Sequence, residues 1–77
     1  MDVSKTVDVK GFSCPIPVLK ANRAIRDIPV GGVLEILATD PRSMEDIEAW
    51  AKREGHQLLL AEEKEDKTFR FLIRRGK

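Results

Sequence analysis

A chain of 77 residues, with 42% apolar and 35% charged residues, has room for a single domain with a hydrophobic core. This balance excludes a disordered tail, and no apolar run approaches the roughly 20 residues needed to cross a bilayer. The net charge is +1 and charges of both signs are interleaved, so we expect one soluble, cytoplasmic domain over residues 1–77 rather than a membrane or nucleic-acid-binding protein.

Three elements are predicted in the first half of the chain. Weak alternation of apolar and polar residues predicts a strand over residues 3–9, which Gly11 ends. From Pro15 the apolar residues recur at helical spacing, which predicts an amphipathic helix that ends near Pro29. Residues 33–38 are almost continuously apolar, as is typical of a strand in the middle of a sheet.

The second half contains a helix and two strands. Asp40, placed before a proline, is expected to cap a second helix that runs to Gly55. Residues 57–62 and 68–74 are predicted as strands joined by a charged hairpin loop over residues 64–67. The order is then β-α-β-α-β-β, and right-handed crossovers place both helices on one face of a four-stranded mixed sheet.

These elements predict an α/β fold of the two-layer α+β sandwich type, with the other sheet face open to solvent or to a partner. The expected core lies beneath the two helices. It consists of apolar residues at the helical and strand spacings, namely Val18, Ile25, Ile28, Ile36, Met44, Ile47, Phe69, Phe71 and Ile73.

The chemistry of the sequence is concentrated in residues 11–17, where a strand ends, a glycine turns the chain and Cys14 precedes a helix opened by Pro15. The first N–H groups of a helix lack intrahelical partners, and the two prolines of this segment remove donors that were unpaired anyway. A thiolate here feels the positive end of the helix dipole and accepts from the N–H groups of Ile16 and Val18. We therefore expect a lowered pKa for the Cys14 thiol.

The sequence offers this thiol few partners. Cys14 is the only cysteine and His56 the only histidine, so the chain has no internal disulfide, no dithiol pair and no zinc ligand set. A cysteine hydrolase needs a base and an orienting group, whereas a capping or surface role is expected for His56. A thiol without a base is better suited to transferring a group between proteins than to turning over a small substrate.

Residues 8–17 resemble the signature of the TusA/SirA-like sulfur carriers, Asp-x-basic-Gly-x-x-Cys-Pro-x-Pro. The signature positions are here Asp8, Lys10, Gly11, Cys14, Pro15 and Pro17. The Asp-Pro pair at residues 40–41 and the Phe-Arg-Phe-Leu-Ile-Arg run at residues 69–74 agree as well, so the resemblance spans nearly the whole chain. It implies a single TusA/SirA-like domain with a sandwich similar to the C-terminal domain of translation initiation factor three.

By this resemblance, Cys14 accepts sulfane sulfur as a persulfide from a cysteine desulfurase or a rhodanese-type protein and passes it to an acceptor protein. The sulfur is carried covalently, with no cofactor and no metal, and the chain acts as a sulfurtransferase-type carrier rather than a free-standing turnover enzyme. Ile16 departs from the acidic residue that the tRNA-thiolation branch often has between the prolines, and Lys10 stands where arginine is common. The pathway therefore stays open among tRNA thiolation, cofactor supply and other sulfur metabolism.

A docking surface is predicted beside the thiol. Ile16 and Leu19 fall on the polar side of the first helix, where they cannot both reach the core. Lys20 and Arg23 would form the charged rim of a surface that receives donor and acceptor proteins.

Two alternatives without sulfur chemistry remain, a protein-interaction domain and a small RNA-binding module. The RNA-binding alternative lacks aromatic residues for stacking on bases, since Phe69 and Phe71 are expected to face the helices. Its support is a basic C-terminal cluster made of Arg70, Arg74, Arg75 and Lys77.

Overall fold

The structure is a computed structural model that describes residues 2–77, and its elements follow the predicted β-α-β-α-β-β order. The elements are β1 (Lys5–Val9), α1 (Ile16–Ile25), β2 (Val33–Ala38), α2 (Ser43–Glu54), β3 (Gln57–Glu63) and β4 (Phe69–Arg74). The predicted two-layer α+β sandwich is confirmed. Within residues 2–77, no helix has the length and apolar character needed to cross a membrane.

The four strands form one mixed sheet in the order β1-β2-β4-β3. β1 runs parallel to β2, whereas β4 is antiparallel to both of its neighbours. Ile36 of β2 lies opposite Val7 of β1 on one side and Phe71 of β4 on the other, so its side chain is surrounded on the sheet. The almost continuous apolar run of β2 thus belongs to an interior strand, as predicted.

The hydrophobic core lies between the sheet and the two helices. Of the nine predicted core residues, seven are buried, while Val18 and Met44 are partly buried and pack against them. Trp50 of α2 is only 1% exposed, and its indole Nε1–H donates to Oδ1 of Asn22 on α1 at 3.2 Å. This contact joins the two helices. Because α1 follows β1, α2 follows β2 and these two strands are parallel, both helices begin at the same edge of the sheet.

The end of α1 differs from the prediction. The helix stops at Ile25, four residues before Pro29. Backbone N–H groups of residues 26–28 then donate to carbonyls three residues earlier, which tightens the last turn. Since proline disfavours helical angles in the residue before it, the chain leaves the helix before Pro29 instead of at it.

The C-terminal basic residues do not form the single cluster that the RNA-binding alternative requires. Arg70 lies on the open face of the sheet, where its guanidinium pairs with Glu35 and Glu62. Arg75 instead donates from Nη1 to the backbone carbonyl of Ile28 at 2.6 Å. Phe69 and Phe71 are buried on the helical side of the sheet, where they cannot stack on bases.

Candidate functional site

The segment between β1 and α1 is a tight turn built by the residues of the Cys-Pro-x-Pro signature. Gly11 has φ +86°, a left-handed conformation that favours glycine, and its N–H donates to Oγ1 of Thr39 at 2.8 Å. The Lys10 N–H donates to Oδ1 of Asp8 at 2.9 Å. The signature residues Asp8, Lys10 and Gly11 therefore shape the turn, and none of these contacts involves the thiol.

Cys14 is exposed on this turn, directly before the N-cap residue of α1, Pro15. The peptide bond between Cys14 and Pro15 is cis, and Pro17 occupies the second position of the helix. The Ile16 N–H, which was expected to serve the sulfur, donates to the Ser13 carbonyl at 3.0 Å. The helix therefore starts at Ile16, one residue after the predicted Pro15, and Ile16 does not supply the expected N–H donor to the thiol.

Asp40 has a different role from the helix cap that was predicted. Its Oδ1 accepts the Arg42 N–H at 3.0 Å, and its Oδ2 accepts the Cys14 N–H at 2.8 Å. α2 begins at Ser43 without a side-chain cap, so Asp40 forms a turn before the helix and holds the Cys14 turn at the same time. These two donors lower the pKa of the Asp40 carboxyl.

The expected pKa of the thiol is wrong in direction. The nearby carboxylate of Asp46, partial desolvation and the charge of Asp40 raise the pKa of Cys14 above its ordinary value, and the charge of Arg42 opposes them. The prolines leave few N–H donors at the start of α1, while the start of α2 brings carboxylates close. The carboxylates thus outweigh the nearby charge of Arg42.

Apolar residues close to Cys14 along the chain have exposed or partly exposed side chains. Phe12 is 44% exposed and Leu19 is 58% exposed, whereas Ile16 is half-buried. We call these three residues the Cys14 apolar patch. Lys20 lies with its Nζ 4.8 Å from the centre of the Phe12 ring, and Arg23 is exposed one turn further along α1. Sequence reasoning missed Phe12, although an apolar residue in a glycine turn beside the only cysteine is a detectable signal.

His56 is placed away from the thiol. It follows α2, whose 12 residues span about 18 Å, whereas Cys14 lies near the beginning of that helix. Its Nδ1 accepts the Gly76 N–H at 3.0 Å, and its ring centre lies 5.3 Å from that of Trp50. His56 therefore packs against the C-terminal segment and is not a base for Cys14.

Known proteins match this chain over nearly its whole length. The family model described as sulfurtransferase TusA matches residues 5–75. A candidate sulfur carrier protein of Halobacterium salinarum is 43% identical over 76 residues, covering 99% of this chain and 94% of that protein. The sulfur carrier protein TusA of Allochromatium vinosum is 38% identical over 75 residues, covering 97% of each. The crystal structure of a SirA-like protein from Desulfitobacterium hafniense superposes with a TM-score of 0.83 at 30% identity, covering 95% of this chain and 99% of that one.

Proposed function

Because this chain belongs to the TusA family of sulfur carriers, we propose that it holds sulfane sulfur as a persulfide on Cys14 and relays it from a donor protein to an acceptor protein. The family assignment made from residues 8–17 is confirmed by these matches. The observation that carries the proposal is the exposure of the only cysteine on a turn fixed by two hydrogen bonds to the segment that follows β2.

The turn presents the sulfur in a defined position. Thr39 and Asp40, which follow β2, accept the N–H groups of Gly11 and Cys14, while the N–H of Ile16 is bound by Ser13. The Cys14 turn is therefore already ordered before a partner protein binds, so little of the binding free energy is lost in ordering it.

The proposed transfer is a thiol–persulfide exchange. The Cys14 thiolate attacks the outer sulfur of a donor protein's persulfide, a new S–S bond forms to Cys14, and the donor's S–S bond breaks as its inner sulfur leaves as a thiolate. The proton of the exposed Cys14 thiol is released to solvent. No oxidant or reductant is consumed, and delivery repeats the same exchange with a thiol of the acceptor.

The empty and the loaded carrier differ in how strongly the sulfur on Cys14 is ionised. The raised pKa lowers the thiolate fraction of the empty carrier at neutral pH, which slows its reaction with oxidants and alkylating agents. A persulfide is more acidic than the thiol it derives from, so the loaded carrier is the more strongly ionised form in the same surroundings. The raised pKa therefore limits side reactions of the empty carrier before a donor protein arrives.

The proposed partners are a cysteine desulfurase or a rhodanese-type donor and a downstream acceptor protein. The Cys14 apolar patch, rimmed by Lys20 and Arg23, is the proposed contact surface for both. The proposal covers tRNA thiolation, cofactor supply and other sulfur metabolism alike, and it places the protein in the cytoplasm, where thiols stay reduced.

Cyanide tests this function because it removes sulfane sulfur as thiocyanate. The protein is incubated with a cysteine desulfurase and cysteine, or with a rhodanese and thiosulfate, then separated from the donor and treated with cyanide. We expect one thiocyanate per chain from the wild type and from Ser13→Ala, which keeps the thiol, and none from Cys14→Ser. Equal thiocyanate from Cys14→Ser, or none from wild type after treatment with both classes of donor, would contradict the proposal.

A further inference from the structure

A cleft of about 250 Å³ lies at the end of the molecule where α1 and α2 finish. Its polar lining consists of Asn22, Arg26, Glu54, His56, Arg75 and Lys77. Cys14 precedes α1, and a helix of ten residues is about 15 Å long, so the cleft lies well away from the thiol. The sulfur chemistry proposed above uses none of the polar groups that line it.

Two uncharged groups of the cleft have their acceptor atoms already occupied. Oδ1 of Asn22 accepts the indole N–H of Trp50, which leaves the two Nδ2 hydrogens of Asn22 as its remaining donors. Nδ1 of His56 accepts the Gly76 N–H, so the neutral imidazole carries its proton on Nε2. Both side chains therefore offer donors to a ligand.

The charged groups of the cleft are mostly cationic. Arg26, Arg75 and Lys77 face one carboxylate, that of Glu54, and within residues 2–77 neither Arg26 nor Glu54 forms an ion pair. Arg75 is held in place because its Nε donates to the Lys77 carbonyl at 2.7 Å and its Nη1 to the Ile28 carbonyl. These bonds hold the positive charge of Arg75 beside the cleft.

The nearby cations affect the pKa of the His56 imidazole. Burial lowers the pKa of His56 first, the charges of Arg75 and Lys77 lower it further, and only Glu54 raises it. The cations thus lie close enough to the ring to disfavour a further positive charge, and a bound anion would relieve that repulsion.

We propose that this cleft binds a small tetrahedral oxyanion with two negative charges, of the phosphate or sulfate kind, either free or as the terminal group of a nucleotide. The donors of Asn22 and His56 and the cations of Arg26 and Lys77 supply its hydrogen bonds and neutralise its charge. This site is independent of the persulfide role and is present whether or not Cys14 carries sulfur.

The single histidine gives a direct probe of the site, because its ring signals in NMR belong to one residue. Inorganic phosphate is titrated into the full chain at constant ionic strength, with sodium chloride as the comparison. We expect saturable shifts of the His56 ring signals and a raised pKa of His56 with phosphate, and neither with chloride. In Arg26→Gln the affinity should fall by about tenfold to a hundredfold, as expected for the loss of one charge-assisted hydrogen bond.

Control variants separate the site from general charge and from the thiol. Arg53→Gln removes an exposed arginine of α2 outside the cleft and should bind phosphate like the wild type, as should Cys14→Ser. A nucleoside monophosphate that shifts His56 at lower concentration than phosphate assigns the anion to a nucleotide, and an equal response assigns it to the free ion. Equal shifts with chloride, or equal loss of affinity in Arg26→Gln and Arg53→Gln, would overturn the proposal.

Discussion

The backbone N–H of Cys14 donates to Oδ2 of Asp40 at 2.8 Å, although 26 residues separate the two along the chain. The other oxygen of this carboxylate accepts the Arg42 N–H, so one side chain joins the turn before α1 to the turn before α2. The position of the thiol therefore depends on the packing of both helices and not on the Cys-Pro-x-Pro segment alone.

We predict that Asp40→Ala loosens the turn that carries the thiol. The substitution removes the acceptor for the N–H groups of Cys14 and Arg42, and hydrogen exchange at both amides should become about threefold to tenfold faster, as for the loss of one hydrogen bond. Amide exchange followed by NMR measures this directly.

Asp66→Ala is the matched control, since Asp66 accepts the Thr68 N–H in a similar turn of the β3–β4 hairpin. Asp66→Ala should leave hydrogen exchange at the Cys14 amide unchanged.

The pKa of Asp40 is lowered by its backbone donors, so the hydrogen bonds of Asp40 are complete at neutral pH and weaken only as acid protonates the carboxylate. Unchanged exchange at Cys14 in Asp40→Ala would show that other contacts hold the turn.

Asp46→Asn is predicted to make the thiol more reactive. The substitution removes the carboxylate that raises the pKa of Cys14, so a larger fraction is thiolate at a given neutral pH. The rate of alkylation by iodoacetamide should rise, and its pH profile should move to lower pH.

Substitutions of two residues near Asp46 serve as controls for the pH profile of alkylation. Glu45→Gln removes a carboxylate from the same turn of α2 that does not shift the Cys14 pKa and should leave the profile in place, whereas Arg42→Gln should move it to higher pH. If Asp46→Asn and Glu45→Gln give the same profile, Asp46 is not the group that raises the pKa of Cys14.

The exposed leucine of α1 is predicted to contact sulfur donors. Leu19 is 58% exposed in the Cys14 apolar patch, and Leu19→Glu would place a charge in the proposed contact. Loading from a desulfurase or rhodanese should slow by about fivefold or more, the size expected for an important contact residue. Val30→Glu, at a 64% exposed position beyond α1, should load normally. Equal rates for wild type and Leu19→Glu would make this patch ordinary surface.

Periodicity predicted the fold because it reflects which side chains are buried. The helical spacing of Ala21 and Ile25 and the apolar run of residues 33–38 both mark surfaces that the structure covers. Strand order is not encoded in these patterns, and β4 inserts between β2 and β3 through pairing that only the folded chain reveals.

The location of the thiol was predictable from local sequence, but its electrostatic surroundings were not. A cysteine before Pro15 is visible in the sequence, and so is a helix that begins after it. The groups that raise its pKa come from Asp40 and Asp46, which reach the thiol only when α2 packs beside α1. A local argument from the helix dipole therefore gave the wrong sign.

The core beneath the helices is predicted to be intolerant of truncation. Ile25 and Phe71 are both almost fully buried, and replacing either with alanine should cost about 2 to 5 kcal/mol of unfolding free energy. A small domain has about 5 to 15 kcal/mol in total, so either loss is a large fraction. Urea denaturation measures it, with Val30→Ala as the exposed control. Midpoints that match wild type for both core variants would rule out this packing.

Intact-mass spectrometry tests the central claim most directly. The protein is incubated with a cysteine desulfurase and cysteine, or with a rhodanese and thiosulfate, and weighed without reductant. The wild type should gain the mass of one sulfur atom and lose it on addition of reductant. The Cys14→Ser variant should gain no mass. If donors of both classes leave the wild-type mass unchanged while Cys14 still reacts with iodoacetamide, persulfide carriage on Cys14 is contradicted.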